Sequence, residues 1–325
     1  MSALQLLLFV AIFGGSLAVW ARIAARLAQG THPLGPGDPV PVLPVAAKQD
    51  RPATNCPMCG TENEAAATTC RFCGEVLGPS LPARAIHWNP VSVALAFAWI
   101  ALSSATAIER LFDTDRPVPR LEHVQQSCLT NGLIVVVLLV ALSELGRRRL
   151  EAYGVHFHRW PRRMRDGALG FLASLLPVYG IQIALAETGF RSEQDANPFL
   201  KLLAENSVPE VVFWIGLSVI VFAPLAEELV YRVILQGWLA TRWRPATAIV
   251  ASSALFSLVH GWPDLLPLFP LALILGYVYH RTRSYIAVVT LHALFNGLNL
   301  AFQLLAPEAE KAEPVLGALR LMVDG

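Results

Sequence analysis

Polar residues with a spacing of four stand inside apolar segments in the C-terminal half of the chain. The first such segment contains Glu227, Glu228 and Arg232. On a helix, Glu228 and Arg232 lie on one face with the acid first, which is the favourable order for an ion pair. Glu227 points about 100° away from Glu228 and has no local partner, so it could serve as a general base or acid. Alternatively, both acids pair only structurally, with Glu227 meeting a histidine.

Two further segments place imidazole groups on helix faces. Phe256 and His260 are four residues apart, so the aromatic ring can pack beside the imidazole and restrict its rotamer. His292 and Asn296 have the same spacing, and both would project to one place as hydrogen-bond donors to an oxyanion or as metal ligands. Each pattern alone also fits a structural role, such as an interhelical hydrogen-bonded pair.

The combination of the three segments is more informative than any one of them. If the helices converge, they bring together a carboxylate base, a water-binding group and donors for an oxyanion. Metal-assisted or glutamate-activated hydrolysis of an acyl bond requires these groups. The sequence has no serine or cysteine nucleophile elbow beside them, which disfavours a covalent route.

Four of the five cysteines stand together in the order C-x2-C, ten residues, C-x2-C. Each pair is followed by glycine, which permits a tight turn from which two thiolates can bind one metal. Four soft ligands suit tetrahedral zinc and leave no open coordination position, so we predict a zinc ribbon with structural zinc. A pair of disulfides is the alternative. The clustered residues are Cys56, Cys59, Cys70 and Cys73, whereas Cys128 stands alone.

The composition indicates that lipid surrounds much of the chain. Apolar residues make up 54% of the 325 residues and charged residues 15%, whereas about a quarter of the residues of a soluble domain are charged. The net charge of +1 gives no indication of a nucleic-acid partner. Runs of roughly 17–25 apolar residues can cross the bilayer as helices, so we predict an all-α integral membrane protein.

About eight such runs predict about eight transmembrane helices. The first could be a secretory signal, but no basic region precedes it and Arg22 and Arg26 follow it, so we interpret it as an uncleaved anchor. The segment 225–241 continues the helix that begins at 209, with a bend expected near Pro224. The predicted spans are 4–19, 89–108, 130–146, 168–188, 209–224, 246–260, 264–280 and 285–304.

The chain divides into six regions along its length. Residues between the first span and the cysteines are rich in proline, glycine and polar groups, which is typical of a linker. The regions are an N-terminal anchor (1–28), a linker (29–54), a zinc ribbon (55–78), accessory transmembrane helices (85–190), a catalytic transmembrane core (205–305) and a tail (306–325).

Arginines in short loops predict the orientation in the cell membrane. Seven arginines lie between residues 147 and 165, so we expect that loop in the cytoplasm. Counting spans outward places the zinc ribbon and the basic residues at 242–244 and 281–283 on the same side, and both termini outside. The loop 109–120, with three arginines, fits least well. A cytoplasmic ribbon disfavours disulfides, because thiols stay reduced there.

The order, spacing and membrane context of the polar residues resemble the three-motif signature of the CPBP intramembrane protease family, also called the CAAX protease and bacteriocin-processing or Abi family. The resemblance covers roughly residues 205–305, and the anchor and the ribbon lie outside it. The matching motifs are Glu227-Glu228-x3-Arg232, Phe256-x3-His260 and His292-x3-Asn296.

This resemblance implies an all-helical membrane fold with a site in a cavity between spans. It implies that Glu227 activates the attacking water with His260 as its partner, while His292 and Asn296 stabilise the oxyanion. Members are commonly labelled metalloproteases, so the histidines and a glutamate could also hold a catalytic divalent metal, most readily zinc. The sequence leaves both routes open. The supporting residues would be Glu228, Arg232 and Phe256.

We therefore expect an intramembrane endopeptidase that hydrolyses peptide bonds of membrane-embedded or membrane-associated proteins or peptides. A proton- or cation-coupled transporter that uses Glu227 and the histidines as a relay is an alternative, although the sequence has no apparent repeated half. A catalytically idle scaffold or bacteriocin-immunity protein that binds a protein partner through the ribbon is another.

Overall fold

The computed structural model of the chain describes ten ranges of residues. These are 3–29, 54–56, 61–64, 67, 70–71, 88–112, 118–144, 150–157, 159–188 and 198–305. Most of the predicted linker, the whole predicted tail and the arginines at 147–149 lie outside them.

Helices account for nearly all of the described residues, as expected for an all-α membrane protein. A 3-10 turn, Leu150–Tyr153, precedes the fourth helix, and one two-stranded antiparallel sheet pairs Thr54 with Asn63 and Asn55 with Glu62. The elements are α1 (Ala3–Ala28), β1 (Thr54–Asn55), β2 (Glu62–Asn63), α2 (Pro90–Phe112), α3 (Leu121–Glu144), α4 (Trp160–Glu187), α5 (Pro198–Glu205), α6 (Pro209–Leu239), α7 (Pro245–Leu258), α8 (Leu265–Thr282) and α9 (Tyr285–Leu305).

Five of the described helices are long and apolar enough to cross a membrane. They lie in α1, α3, α4, α6 and α9, so the chain is a multi-pass membrane protein. The structure does not support the predicted count of eight spans. The predicted spans 89–108 and 246–260 coincide with shorter apolar helices, Pro90–Ala105 and Pro245–Leu258. The predicted span 264–280 coincides with α8, whose last turn contains His280 and Arg281.

Helix α6 runs without interruption over 31 residues and confirms the predicted continuation of the helix past residue 224. Two stretches within it, Leu217–Phe222 and Leu229–Gln236, are π-helical. The first ends just before Pro224, whose missing N–H removes one bond from the helical ladder. The second follows the glutamate pair directly and is buried throughout. Such π-helical turns inside α-helices are frequent at functional sites.

Helices α7 and α8 pack against each other as a hairpin. With 14 residues, α7 is only about 21 Å long, which is less than the hydrocarbon thickness of about 30 Å. The turn after α7 includes Gly261, whose φ of 77° favours glycine. His260 therefore lies at the tip of the hairpin.

Helix α4 is the central packing element, because it contacts α1, α8 and α9 extensively. Helix α4 approaches α9 closely at Gly167. A Cβ atom on Gly167 would overlap the Ala287 carbonyl oxygen and lie 2.9 Å from Cβ of Thr290. Because His292 is on the same helix as these two residues, the small side chain at 167 helps to set the position of a candidate site residue.

We expect Gly167→Ala to destabilise the protein by about 1–3 kcal/mol, as overpacking of a core does. Gly180→Ala on the same helix is the matched control, since no atom lies within 4 Å of a Cβ built at Gly180. Thermal unfolding in detergent measures both variants. Equal midpoints for the two would show that close α4–α9 packing is unimportant.

The structure describes the predicted zinc ribbon only in part. Cys56 and Cys70 are buried beside the β1–β2 pair. The side-chain amide nitrogen of Asn63 donates to Sγ of Cys70 over 3.5 Å. The side-chain oxygen of Asn63 accepts from the backbone N–H of Arg71. Cys59 and Cys73 lie outside the described residues, so the structure does not show the four-cysteine site.

Candidate active site

Three helices bring the three predicted motifs together. Helix α6 positions Glu227, Glu228 and Arg232, the end of α7 positions Phe256 and His260, and α9 positions His292 and Asn296. Side chains from all three helices contact one another through Phe256 and His292. The condition on which the sequence argument depended, convergence of the helices, is therefore met.

The predicted ion pair between Glu228 and Arg232 is present. Oε2 of Glu228 lies 3.2 Å from Nε of Arg232, and both side chains are fully buried. Within the described chain, all three Arg232 nitrogens lack a partner with hydrogen-bond geometry. The guanidinium also stacks on the Phe256 ring at 4.7 Å from its centroid, a favourable cation–π geometry.

His292 bridges the two glutamates of the first motif. Its Nδ1 lies 2.7 Å from Oε1 of Glu228 and its Nε2 lies 3.8 Å from Oε2 of Glu227. Because Glu228 is paired with Arg232, its carboxylate accepts, and the proton is assigned to Nδ1 of His292. Glu228 thus fixes the ring so that Nε2 faces Glu227.

Glu227 is the accessible acid of the pair, since 23% of its side chain is exposed whereas Glu228 is fully buried. The 3.8 Å gap between Glu227 and His292 is too long for a direct hydrogen bond. A water molecule at about 2.8 Å from both atoms fits this gap. This spacing would allow the carboxylate and the imidazole to share one water.

Phe256 is the aromatic centre of the site. Its ring centroid lies 4.7 Å from that of His260, 5.8 Å from that of His292 and 5.2 Å from that of Tyr231. The predicted packing of Phe256 beside His260 is thus confirmed. The Phe256 ring is fully buried. Because it contacts both imidazoles, it sets the distance between His260 and His292.

His260 is held by its own helix. Its Nδ1 lies 2.6 Å from the Phe256 carbonyl oxygen, which can only accept, so Nδ1 carries the proton. Among the described residues, both Glu227 and Glu228 lie beside His292, whereas the resemblance implied His260 as the partner of Glu227. Helix α7 ends at the hairpin tip, while α9 passes directly beside α6.

Asn296 lies one turn after His292 and contacts the first π-helical stretch of α6. Its amide nitrogen donates to the Val219 carbonyl oxygen over 2.7 Å. This bond is the interhelical pairing that the sequence allowed as an alternative. A carboxamide has a second N–H and one acceptor oxygen, so one bond does not exhaust its capacity.

Sequence reasoning missed three side chains that hold or surround the motif helix. Tyr285 donates its hydroxyl to the Leu225 carbonyl oxygen, two residues before Glu227. Gln236 donates to the Gly276 carbonyl oxygen over 2.9 Å and ties α6 to α8. Tyr231 packs on Phe256. Of the three, only Tyr231 could have been singled out from the sequence. It follows Glu227 by four residues, the same spacing that separates Glu228 from Arg232.

No group of three His, Cys, Asp or Glu side chains that could hold a metal ion occurs among the described residues. In the intramembrane site, Nδ1 of each histidine faces a protein acceptor, which leaves Nε2 of each ring as the acceptor nitrogen. The chemistry derived below is that of this chain's own residues, with Glu227 as the base.

Comparisons with known proteins single out the same part of the chain. Residues 209–298 match the family model described as type II CAAX prenyl endopeptidase Rce1-like. This range begins with α6 and ends within α9, so it contains all three motifs. The match supports the resemblance to the CPBP family and a protease-like function.

Two curated proteins are similar to the chain over part of its length. The membrane-embedded CAAX protease MroQ of Staphylococcus aureus (strain USA300) is 28% identical over 152 residues, which are 44% of this chain and 59% of that protein. UPF0177 protein YaiF of Lactococcus lactis subsp. lactis (strain IL1403) is 38% identical over 111 residues, 31% of this chain and 47% of that protein. The chain thus spans about half the length of these relatives. No solved structure matches the chain.

Proposed function

We propose that this protein is an intramembrane endopeptidase that hydrolyses peptide bonds of membrane-embedded or membrane-associated proteins or peptides. The observation that supports it best is His292 between two glutamates, one buried and paired, the other partly exposed beside a gap of 3.8 Å. This arrangement resembles a base with an oriented imidazole, which is suited to the activation of water.

In the proposed reaction, one water donates one hydrogen to Glu227 and the other to Nε2 of His292. Its lone pair is then free to attack the carbonyl carbon of the scissile bond. Glu227 takes the proton as the C–O bond forms, and a tetrahedral oxyanion results. When the C–N bond breaks, the protonated Glu227 returns the proton to the leaving amine, so both products and the free carboxylate are restored.

We assign the stabilisation of the oxyanion to Asn296. Asn296 has one N–H in use and a second available. His260 is at the hairpin tip with its proton on Nδ1, so its Nε2 can accept a hydrogen bond but donates none to an oxyanion. These roles modify the expectation from the resemblance, since His292 takes the place beside Glu227.

An apolar groove beside the hairpin tip supports a substrate that approaches from the lipid. The groove has a volume of about 640 Å³. Two of its residues, Ser257 and Leu258, lie in the last turn before His260. We propose that an apolar segment of the substrate occupies it. The residues that line it are Ile181, Ala254, Ser257, Leu258, Leu265, Leu266, Phe269 and Pro270.

A comparison of membrane proteomes tests the proposed activity in the cell. Cells with wild-type protein and cells with the Glu227→Gln variant are compared by mass spectrometry of protein termini. We expect one or more membrane proteins to accumulate uncut with the variant. Identical sets of termini would contradict a protease, and solute or proton flux in liposomes that Glu227→Gln abolishes would favour the transporter.

We further propose that Cys56, Cys59, Cys70 and Cys73 bind one structural zinc ion on the cytoplasmic side and that this ribbon docks a protein partner. The burial of Cys56 and Cys70 and the amide of Asn63 beside Sγ of Cys70 support it, because metal-bound thiolates commonly accept hydrogen bonds. The zinc would stabilise the ribbon, with no part in hydrolysis.

For this ribbon, Cys56→Ser should remove most of the zinc bound to the purified protein. Cys128→Ser is the matched control, since Cys128 is buried in α3 outside the cluster. Elemental analysis of both variants measures the zinc content. Unchanged zinc in Cys56→Ser would contradict the ribbon, and unchanged peptidase activity in that variant is expected if the two sites are independent.

A further inference from the structure

Tyr231 is a buried side chain of the candidate active site, and its hydroxyl has no role in the reaction proposed above. It follows Glu227 by four residues on α6, and only 1% of it is exposed. Its hydroxyl has no hydrogen-bond partner among the described residues. By contrast, the hydroxyl groups of Tyr179, Tyr279 and Tyr285 donate to Asn299, Tyr153 and Leu225, respectively.

A buried hydroxyl without a partner is energetically unfavourable by about 1–3 kcal/mol. Most such groups in native proteins are satisfied by ordered water or by a ligand. In the described chain, Glu228 Oε2 and the Arg232 nitrogens are also buried without a hydrogen bond. Tyr231 and Arg232 both contact the Phe256 ring, so polar atoms without a full set of hydrogen bonds lie on the same part of α6 as Tyr231.

Tyr231 follows Glu227 by four residues on α6, and side chains on a helix lean toward its N-terminus, so the phenol is expected over the turn that contains Glu227. The Tyr231 ring meets Phe256 edge to face, at an interplanar angle of 84°. The phenol interacts electrostatically with both Glu227 and Arg232. No direct hydrogen bond joins Tyr231 to Glu227 in the described part of the chain, so a link between the two groups would pass through water.

We propose that Tyr231 is a positioning residue of the active site, whose hydroxyl holds the Glu227 carboxylate through one buried water. This inference rests on the proposed hydrolysis, in which Glu227 is the base. His292 would then orient the attacking water from one side while Tyr231 restrains the carboxylate from the other. Tyr231 itself does not contact the substrate.

The variant Tyr231→Phe removes only the hydroxyl and keeps the ring on Phe256. We expect kcat to fall about 10- to 100-fold, as for the loss of a hydrogen bond in a charged network, while KM stays within about twofold. The thermal midpoint should stay the same or rise, because no hydrogen bond between protein groups is lost.

Tyr179→Phe is the matched control. This tyrosine is equally buried, but its hydroxyl is bonded to Asn299, outside the site. We expect a lower thermal midpoint with kcat unchanged, which is the opposite pattern. A Tyr231→Phe variant with wild-type kcat would overturn the inference.

A spectroscopic measurement separates this inference from the proposed function. The infrared carboxyl band of Glu227 is identified by its disappearance in Glu227→Gln, and we expect Tyr231→Phe to shift it. An unshifted band would overturn the link between Tyr231 and Glu227 even if the protein is a protease. A shifted band in a protein that cleaves no peptide would support the link and contradict the proposed hydrolysis.

Discussion

Replacement of Glu227 by glutamine should abolish peptide cleavage while the protein still inserts and folds. The change keeps the shape of the side chain but removes its capacity to take the proton of water, and general-base catalysis contributes about 10²- to 10⁴-fold. Glu227 is partly exposed, and among the described residues its side chain only approaches His292, at 3.8 Å, so little packing is lost. Cleavage of a substrate found in the proteome comparison measures the effect.

Glu210→Gln is the control for this variant, since Glu210 lies in the first turn of the same helix. Both variants lose one acid from α6, but only Glu227→Gln loses it beside His292. We expect Glu210→Gln to cleave at the wild-type rate. Loss of activity in both variants would point to a general effect of charge on α6 and would count against a specific role of Glu227.

Arg232→Met should have the largest effect on stability. The variant leaves Glu228 charged and buried with His292 as its only described partner, and breaking a buried ion pair by removing one member costs about 3–5 kcal/mol. The cation–π contact with Phe256 is lost as well. Unfolding in detergent measures the change. Arg242→Met is the control, because that arginine is exposed, stacks on Trp238 and makes its hydrogen bonds at the surface, to the Trp238 carbonyl oxygen and the Thr241 hydroxyl.

The double variant Glu228→Gln/Arg232→Met separates pairing from packing. Removal of both charges leaves no uncompensated charge in the interior, so the double variant should be more stable than Arg232→Met alone. Glutamine also keeps an acceptor for Nδ1 of His292. A double variant that is less stable than the single one would contradict a role of the pair in neutralising buried charge.

The contacts within one helix could be predicted from the sequence. The Glu228–Arg232 ion pair and the stacking of Phe256 on His260 each join residues four apart, and helical geometry alone brings such residues together. The long apolar helices were likewise evident from their composition. Local periodicity was sufficient for these features, because they depend little on how the helices pack.

The contacts between helices could not be predicted in the same way. The position of His292 between Glu227 and Glu228 depends on the rotation of α9 against α6. The bond from Asn296 to Val219 reaches a carbonyl oxygen in a π-helical stretch, and a spacing rule based on 3.6 residues per turn does not apply there. A family pattern names the residues of a site but does not state which pairs touch.

The number of spans was overestimated for a related reason. A run of apolar residues predicts burial in an apolar medium, but that medium can be protein as well as lipid. Helix α7 ends after 14 residues at the hairpin tip. His260 follows the end of α7 and is partly buried beside Phe256.

The most direct test of the proposed function uses the purified protein in liposomes. Membrane proteins from cells with the Glu227→Gln variant, in which uncut substrate accumulates, are reconstituted with wild-type protein or with that variant, and new protein termini are identified by mass spectrometry. We predict that the wild-type protein generates defined new termini and that Glu227→Gln generates none. The same termini with both proteins, or none with the wild type, would contradict water activation by Glu227 within the membrane.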